Sequence, residues 1–178
     1  MRYIAFLRGI NVGGKNIIKM ENLKASFESL GFKNVKTFIQ SGNVFFDSGI
    51  TNAATISKKI ESGLLKEYKS EIKVMVRTAE EIESMIKRNP FKNIALDEKI
   101  KLYVSFSLDN IKANTKLPVV SEKEACEIIA VEGKDIFVVS REMKNGRYGF
   151  PTIFIEKELT TYSTARNWNT VCKMMQTL

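Results

Sequence analysis

The stretch "VKTFIQSGNVFFDS", residues 35–48, decides the fold. Two runs rich in β-branched and aromatic residues flank Ser41-Gly42, and a glycine turn between two such runs predicts a tight β-hairpin. A hairpin places neighbouring strands antiparallel. Nucleoside triphosphatases with a phosphate loop need a parallel sheet, so this stretch argues against that class of enzyme.

The segments around the hairpin complete a recognisable order. Apolar residues recur at helical spacing from Met20 to Leu30 and along a second stretch at about 52–69. Strand-like runs lie outside these helices, at 2–7 and 72–77. The order β-α-β-β-α-β predicts a ferredoxin-like unit, in which two helices cover one face of an antiparallel sheet.

The second half predicts a degenerate copy of this unit. A third helix starts at the capping box of Thr78 and Glu81 and ends before Pro90. The later expected elements are a strand at 101–108, a weak helical piece at 109–117, a hairpin around Glu132-Gly133-Lys134 and a helix at about 151–159. The final strand is missing from the pattern, and "TARNWNTVCKMM" predicts a helix in its place, with Trp168, Val171, Cys172 and Met175 on one face. No residue-level repeat is visible between the halves.

These patterns predict an α+β protein of two ferredoxin-like units with antiparallel-containing sheets, the second unit degenerate. The expected boundaries are a first unit at 1–77, a connecting helix and linker at 78–100, and a second unit with a C-terminal helix at 101–178. Oligomeric state leaves no signature in the pattern.

Composition narrows the functional classes. The chain of 178 residues has no His and two distant cysteines, Cys126 and Cys172, so it offers no His-dependent triad, no His-ligated metal and no thiol cluster for a metal. We expect no metal, no cofactor and no membrane partner, and a cytoplasmic location. The net charge of +8 favours polyanions such as nucleic acid.

The stretch "RGINVGGKN", Arg8 to Asn16, carries a second signal. Gly9, Gly14 and Lys15 have the G-x-x-x-x-G-K spacing of a phosphate-binding loop, but Asn16 stands where Ser or Thr would hold Mg²⁺. Two interpretations remain open. The loop is either a glycine-rich turn with solvated cations or an anion site formed by backbone N–H groups and cations.

Four motifs together, "LRGINVGGKN", "IQSGNVFF", "NPF" and "ARNWNTV", resemble the domain of unknown function 1697 family. The resemblance implies an α+β architecture of ferredoxin-like units in a bacterial protein, and it implies no activity. At 160–164 the stretch "TTYST" departs from the expected approach to "RNWN", which leaves the start of the last helix open.

The motif residues share one chemistry: they are hydrogen-bond donors and glycines, with no carboxylate pair and no activated nucleophile. Donors without a general base favour recognition of an anion over turnover. The predicted ligand-binding residues are Arg8, Asn11, Gly13, Gly14, Lys15, Gln40, Ser41, Asn43, Arg166 and Asn169. Because both termini's motifs are rich in donors and neither shows a partner in its own segment, we expect Arg166 to lie near the loop 8–15. The alternative for "RNWN" is structural, with Trp168 in the core and Asn167 and Asn169 as polar caps.

Three functions remain open from the sequence. The first is a binding protein for a phosphate-bearing anion, either a nucleotide or a nucleic acid, through the loop 8–16. The second is an enzyme acting on a phosphorylated or carboxylated small molecule, with Lys15 or Tyr148 as acid or base. The third is a structural or interaction protein. The donor-rich motifs favour the first.

Overall fold

The computed structural model describes residues 1–14, 16–95, 97–112 and 116–178. Over these residues the chain divides into two compact units, Met1–Glu83 and Ser84–Leu178. Each unit is built on its own antiparallel sheet, and the described residues form five helices in all. The protein therefore has the mixed α and β composition that the sequence predicts.

The first unit follows the order expected from its sequence. Its elements are β1 (Arg2–Leu7), α1 (Met20–Ser29), β2 (Lys33–Phe38), β3 (Asn43–Asp47), α2 (Ala53–Tyr68) and β4 (Val74–Thr78), after which α3 (Ala79–Arg88) begins. The strands lie in the order β2-β3-β1-β4, and each neighbouring pair is antiparallel. The predicted hairpin is confirmed, because β2 and β3 pair directly across the turn at Ser41-Gly42.

The core of the first unit lies between one face of this sheet and helices α1 and α2. Alternate strand residues such as Tyr3 and Phe46 point to this face, as the two-residue period of a strand requires. The Phe46 ring packs against the rings of Phe27 and Phe32, with centroids 5.5 and 4.6 Å away. Each such fully buried aromatic side chain contributes about 1.5–3 kcal/mol through the hydrophobic effect. The core thus fixes the sheet from which the loops at its ends project.

Two helix starts in this unit are fixed by side-chain caps, and the sequence analysis identified the second of them. Asn52 caps α2 by accepting a hydrogen bond from the Thr55 backbone N–H. The capping box of α3 is confirmed: Thr78 Oγ1 accepts from the Glu81 N–H, and Glu81 Oε2 accepts from the Thr78 N–H.

The second unit has a five-stranded sheet. Its elements are β5 (Ile100–Ser107), β6 (Val119–Ser121), β7 (Cys126–Glu132), β8 (Asp135–Arg141), α4 (Pro151–Leu159), β9 (Ser163–Asn167) and α5 (Trp168–Met175). The strand order is β6-β7-β8-β5-β9, again with antiparallel neighbours. The predicted hairpin around Gly133 is confirmed, because β7 and β8 are paired antiparallel and Glu132 faces Asp135 next to the turn.

The prediction that the last strand is missing was wrong. Residues 163–167 form β9, which pairs antiparallel with β5. Its sequence, "STARN", has no apolar alternation, because both faces of the strand are enclosed and small or polar side chains fill them. Helix α5 therefore starts only at Trp168, later than predicted. Its buried residues are Trp168, Val171 and Met174, while Cys172 is half-buried.

The weak helix predicted at 109–117 does not form over the described part of that segment. Residues 109–112 and 116–117 are irregular, whereas residues 113–115 lie outside the described residues. The short strand β6 follows instead and extends the sheet beyond β7. The stretch "DNIKANTKL" has no apolar stripe, because its two large aliphatic residues, Ile111 and Leu117, are six positions apart, so little favours a helix there.

The two units repeat one local arrangement that the sequence pattern does not reveal. Strands β4 and β9 each end in an arginine followed by a helix cap, Arg77-Thr78 and Arg166-Asn167. Both arginines are buried, and each donates to the carbonyl of the preceding residue, over 3.0 Å for Arg77 and 2.9 Å for Arg166. The two units therefore share this local arrangement, and Arg77 and Arg166 are its one identical pair of residues.

Candidate functional site

Three connections meet at one end of the first unit's sheet. They are the loop 8–18 after β1, the turn 39–42 between β2 and β3, and the segment 69–73 before β4. Main-chain hydrogen bonds join them to one another: the Leu7 N–H donates to Gly42 O over 2.8 Å, and the Arg8 N–H donates to Lys73 O over 2.9 Å. We call this end of the sheet the loop end. It carries most of the predicted ligand-binding residues.

The loop 8–16 is a small hairpin, unlike a phosphate-wrapping loop. The Asn11 N–H donates to Asn16 O over 3.1 Å, which closes the hairpin. Gly13 and Gly14 lie at its tip with φ of 58° and 73°, the left-handed values that the two central residues of a type I′ turn require. Helix α1 starts only at Met20, so its N-terminus cannot complete a phosphate loop at Lys15.

Two asparagines hold this hairpin, and the sequence identified only one of them. The Asn11 amide donates to Ile18 O and Gln40 O, both over 3.0 Å, and its oxygen accepts from the Ile18 N–H over 2.8 Å. Asn16 donates to Gly9 O over 3.2 Å and accepts from the Ser70 hydroxyl over 2.7 Å. Both residues have positive φ, which Asn tolerates better than Ser or Thr. Asn16 therefore has a structural reason to replace the metal-holding Ser or Thr: its backbone has a positive φ, and its side chain bonds to Gly9 and Ser70.

The tip of the hairpin is open to solvent. A Cβ placed on Gly9, Gly13 or Gly14 would meet no atom within 4 Å. Beside the tip, the side chains of Val12 and Ile17 are 66% and 75% exposed. No described residue accepts a hydrogen bond from the N–H of Gly13 or Gly14, so both donors remain for another acceptor.

The described charged residues of the loop end are mainly positive. Arg8 and Lys73 are half-buried at the base of the loop, and Lys69 is exposed at the end of α2. Glu71 is the acidic residue of the same segment. Lys15, the cation predicted to bind the anion most directly, lies outside the described residues.

The turn 39–42 uses its polar side chains mostly for its own closure. Asn43 is fully buried and donates to Phe38 O and to Ser41 Oγ, over 3.3 and 2.9 Å. Gln40 is exposed, and its carbonyl accepts from Asn11. Asn43 thus shapes the turn from inside, whereas Gln40 remains at the surface.

Arg166 of the second unit is 8% exposed, and burial lowers the pKa of its guanidinium to about 10, so it stays charged at neutral pH. It donates to Thr164 Oγ1 over 2.7 Å and to Ala165 O. The premise that Arg166 has no partner in its own segment was therefore wrong. Its predicted proximity to the loop 8–15 stays a prediction.

The second unit also contains a cavity of about 490 Å³. It is lined by residues of two of the sequence motifs, "NPF" and "RNWN", which come together at the start of β5: Asn89, Phe91, Asn167, Trp168 and Asn169. The predicted site residue Asn169 lies here. Trp168 packs in the core and Asn167 caps α5 through the Asn169 N–H, as the structural interpretation of "RNWN" expects, whereas Asn169 lies inside α5 and is not the cap.

Tyr148, one of the two predicted acid–base groups, is engaged in the second unit. Its hydroxyl donates to Glu98 O over 2.5 Å, and the Lys101 ammonium lies 3.8 Å from its ring centroid. Desolvation, followed by the charges of Glu142 and Asp97, raises the pKa of the Tyr148 phenol. A phenol of raised pKa is a poor general base at neutral pH.

Comparison with known proteins agrees with this architecture. The family model DUF1697, described as a protein of unknown function, matches residues 1–137. The chain belongs to the DUF1697 family. A solved structure, that of a conserved bacterial protein from Streptococcus pneumoniae, is similar with a TM-score of 0.69 and 23% identity, covering 98% of this chain and 97% of that one. At that identity the likeness shows the fold. No curated protein gives a significant match.

The DUF1697 match includes the whole loop end and the "NPF" motif, and it stops before "ARNWNTV". Within the part of this DUF1697 chain that the structure describes, no cluster of three or more His, Cys, Asp or Glu residues could hold a metal ion. Every helix among the same residues is too short or too polar to span a bilayer.

Proposed function

We propose that this protein binds a phosphate-bearing anion, a nucleotide or a nucleic acid, through the loop 8–16. The observation that carries the proposal is the exposed hairpin tip, where no described residue accepts a hydrogen bond from the N–H groups of Gly13 and Gly14, with Arg8 and Lys73 at the base of the loop. Backbone donors of this kind form charge-assisted hydrogen bonds to phosphate oxygens. Asn11 and Asn16 support the proposal because they hold the tip in one conformation before a ligand arrives.

Binding without hydrolysis fits the surroundings of the loop best. Phosphoryl transfer needs a group that holds Mg²⁺ and a group that positions water. Asn16 uses its amide on Gly9 and Ser70, and the sheet beside it is antiparallel. Both observations favour recognition of the anion over turnover.

The exposed aliphatic side chains of Val12 and Ile17 favour the larger of the two ligand classes. A mononucleotide at the tip would leave both side chains in water, whereas a nucleic acid strand is large enough to cover them. The net charge of +8 also attracts a polyanion over a long range, and this attraction is weaker for a single nucleotide because it carries fewer phosphates.

The test measures binding of a fluorescently labelled single-stranded RNA of about 12 nucleotides by anisotropy, with ATP as the mononucleotide comparison. A charge-assisted hydrogen bond is worth roughly 1.5–3 kcal/mol, so Lys15→Ala should weaken RNA binding about tenfold or more. It should also lower the dependence of binding on salt concentration. Lys144→Ala is the matched control, because it removes the same charge from an exposed position in the second unit.

The proposal is contradicted if neither RNA nor ATP binds, or if Lys15→Ala and Lys144→Ala weaken binding equally. Magnesium-dependent release of phosphate from ATP by the parent protein would contradict the binding-only part. Tighter binding of ATP than of RNA would keep the loop as an anion site and reverse the preference between the two ligand classes.

We also propose that both units have a ferredoxin-like arrangement, the second degenerate, and that the protein lies in the cytoplasm. The order β2-β3-β1-β4, with α1 and α2 on one face, supports a ferredoxin-like arrangement in the first unit, and β7-β8-β5-β9 supports a degenerate copy in the second. Both cysteines are thiols, which supports a reducing compartment such as the cytoplasm.

A further inference from the structure

The geometry points to a second binding site, for a planar nucleobase-type heterocycle, in the cavity that "NPF" and "RNWN" line in the second unit. The cavity of about 490 Å³ lies within the usual range of small-molecule sites, roughly 300–1,000 Å³. It combines an apolar wall with several amides and one carboxylate. This inference is independent of the proposed anion site on the first unit.

Two aromatic rings build the apolar wall. Phe91 and Trp168 pack edge to face, with centroids 5.2 Å apart and planes at 66°. Phe91 also packs against Phe137, with ring centroids 5.8 Å apart, which holds its ring in place. The two rings are 4% and 8% exposed, so packing holds the wall in place before a ligand binds. The side chains of Ile100 and Leu102 extend the same wall.

The amides at the cavity are oriented by the backbone. The Asn89 oxygen accepts from the Phe91 N–H over 3.3 Å, and the Asn167 oxygen accepts from the Asn169 N–H over 3.0 Å. These bonds fix which end of each amide is the oxygen, so the NH₂ groups remain for another acceptor. Among residues 1–14, 16–95, 97–112 and 116–178, none accepts from those NH₂ groups or from the side chain of Asn169.

Asp97 supplies the complementary acceptor. One of its oxygens accepts from the Lys99 N–H over 2.6 Å, which holds the carboxylate at the cavity with the other oxygen available. Lys101, the cation at the cavity, has its ammonium over the Tyr148 ring. A carboxylate whose neighbouring cation is directed elsewhere disfavours an anionic ligand.

Amide donors beside a carboxylate acceptor match an uncharged ring with acceptors and donors along one edge. Nucleobases have such edges, and asparagine and aspartate are among the side chains that pair with them. The apolar wall adds contact with the ring itself. We therefore assign the cavity to a nucleobase, supplied either by a nucleoside or by a splayed-out base of a nucleic acid strand.

Trp168 is the single tryptophan of the chain, so its fluorescence reports on this cavity. The experiment titrates the protein with adenosine, guanosine, cytidine and uridine, with N-acetyltryptophanamide correcting for absorption by the ligand. Glucose tests for general affinity to polar molecules, and pyrophosphate tests for an anion. We expect a saturable change with at least one nucleoside and none with glucose or pyrophosphate.

Variants separate the cavity from a nonspecific effect. Asn169→Ala removes an exposed amide and should weaken the nucleoside about fivefold, the value of one typical hydrogen bond. Asp97→Asn replaces an acceptor by a group that also donates and should change the order of preference among the four nucleosides. Asn93→Ala, an exposed asparagine that does not line the cavity, is the matched control and should leave binding unchanged.

No saturable change with any nucleoside up to its solubility limit overturns the inference. Equal weakening by Asn169→Ala and Asn93→Ala overturns it as well, as does a glucose response equal to that of the best nucleoside. Repeating the titration with a short RNA whose bases include the preferred one identifies the source: tighter binding than the nucleoside indicates a base within a strand, and equal or weaker binding indicates a free nucleoside.

Discussion

Replacing Gly42 by alanine is the sharpest test of how the loop end is built. Gly42 has φ of 71°, and a Cβ there would lie 2.9 Å from the Leu7 Cβ and from two carbons of the Ile10 side chain. Its carbonyl also accepts from the Leu7 N–H over 2.8 Å, so the turn cannot simply move away from β1. The substitution therefore combines backbone strain with overpacking.

The magnitude follows from these two terms. A left-handed conformation costs a residue with a Cβ about 1–2 kcal/mol, and overpacking costs about 1–3 kcal/mol. We expect Gly42→Ala to lower the free energy of unfolding by about 3 kcal/mol. For a unit of this size that corresponds to a fall in Tm of more than about 10 °C.

The assay is urea unfolding followed by far-ultraviolet circular dichroism. Gly49→Ala is the matched control, because Gly49 has no positive φ and a Cβ there would meet no atom within 4 Å. Its free energy of unfolding should stay within about 0.5 kcal/mol of the parent. If Gly42→Ala is as stable as Gly49→Ala, the packing of Gly42 against β1 and Ile10 is not what shapes the turn.

Three further predictions concern particular side chains. Asn11→Gly keeps the positive φ accessible and removes three hydrogen bonds, so it should lower the free energy of unfolding in urea by about 2 kcal/mol and weaken RNA binding. A loss below about 0.5 kcal/mol would show that Asn11 does not hold the loop. The hydrogen bond from Asn34 and the charge of Arg2 hold the pKa of Asp47 below its usual value, so the ionised carboxylate stabilises the fold above about pH 4 and this stabilisation is lost as pH falls through the folded pKa. Asp47→Asn should therefore make the free energy of unfolding fall less steeply in acid, and an unchanged slope contradicts this. Burial raises the pKa of both Cys126 and Cys172, so a thiol-specific reagent should react slowly at pH 7 and faster as pH rises. The variants Cys126→Ser and Cys172→Ser each leave one thiol to be measured. Cys126, which is 2% exposed, should react more slowly than Cys172, and the reverse order would refute its burial.

The elements that sequence predicted well are those with local causes. The hairpin at 35–48 and the helix start at Thr78 depend on residues that lie close together in the chain. Turn chemistry, capping and apolar periodicity act over the same short distances. A single sequence therefore carries enough information to place them.

The elements that sequence missed have distant causes. Strand β9 has no apolar alternation, and its identity comes from pairing with β5, more than fifty residues earlier in the chain. The position of Arg166 in a strand was missed for the same reason. A strand enclosed on both faces can be filled by small and polar residues, and the pattern then gives no period to detect.

The candidate site was predictable in part. The resemblance and the glycine spacing identified the loop 8–16, but the adjacent Gly13-Gly14 pair was also a hairpin signal that the phosphate-loop spacing concealed. The bond between Asn16 and Ser70 joins residues far apart in the chain, so sequence alone could not show that Asn16 holds the loop end. The approach of "NPF" to "RNWN" is a long-range contact of the same kind.

The most direct test of the anion site is an NMR titration of the ¹⁵N-labelled protein with inorganic pyrophosphate. The proposal predicts saturable shifts of the Gly13 and Gly14 amide resonances, because their N–H groups donate to the anion. Gly146, which has a similar φ of 75° in a turn of the second unit, is the matched control and should not move. Shifts at Gly13 and Gly14 no larger than at Gly146, at pyrophosphate concentrations that saturate other resonances, would contradict the central claim.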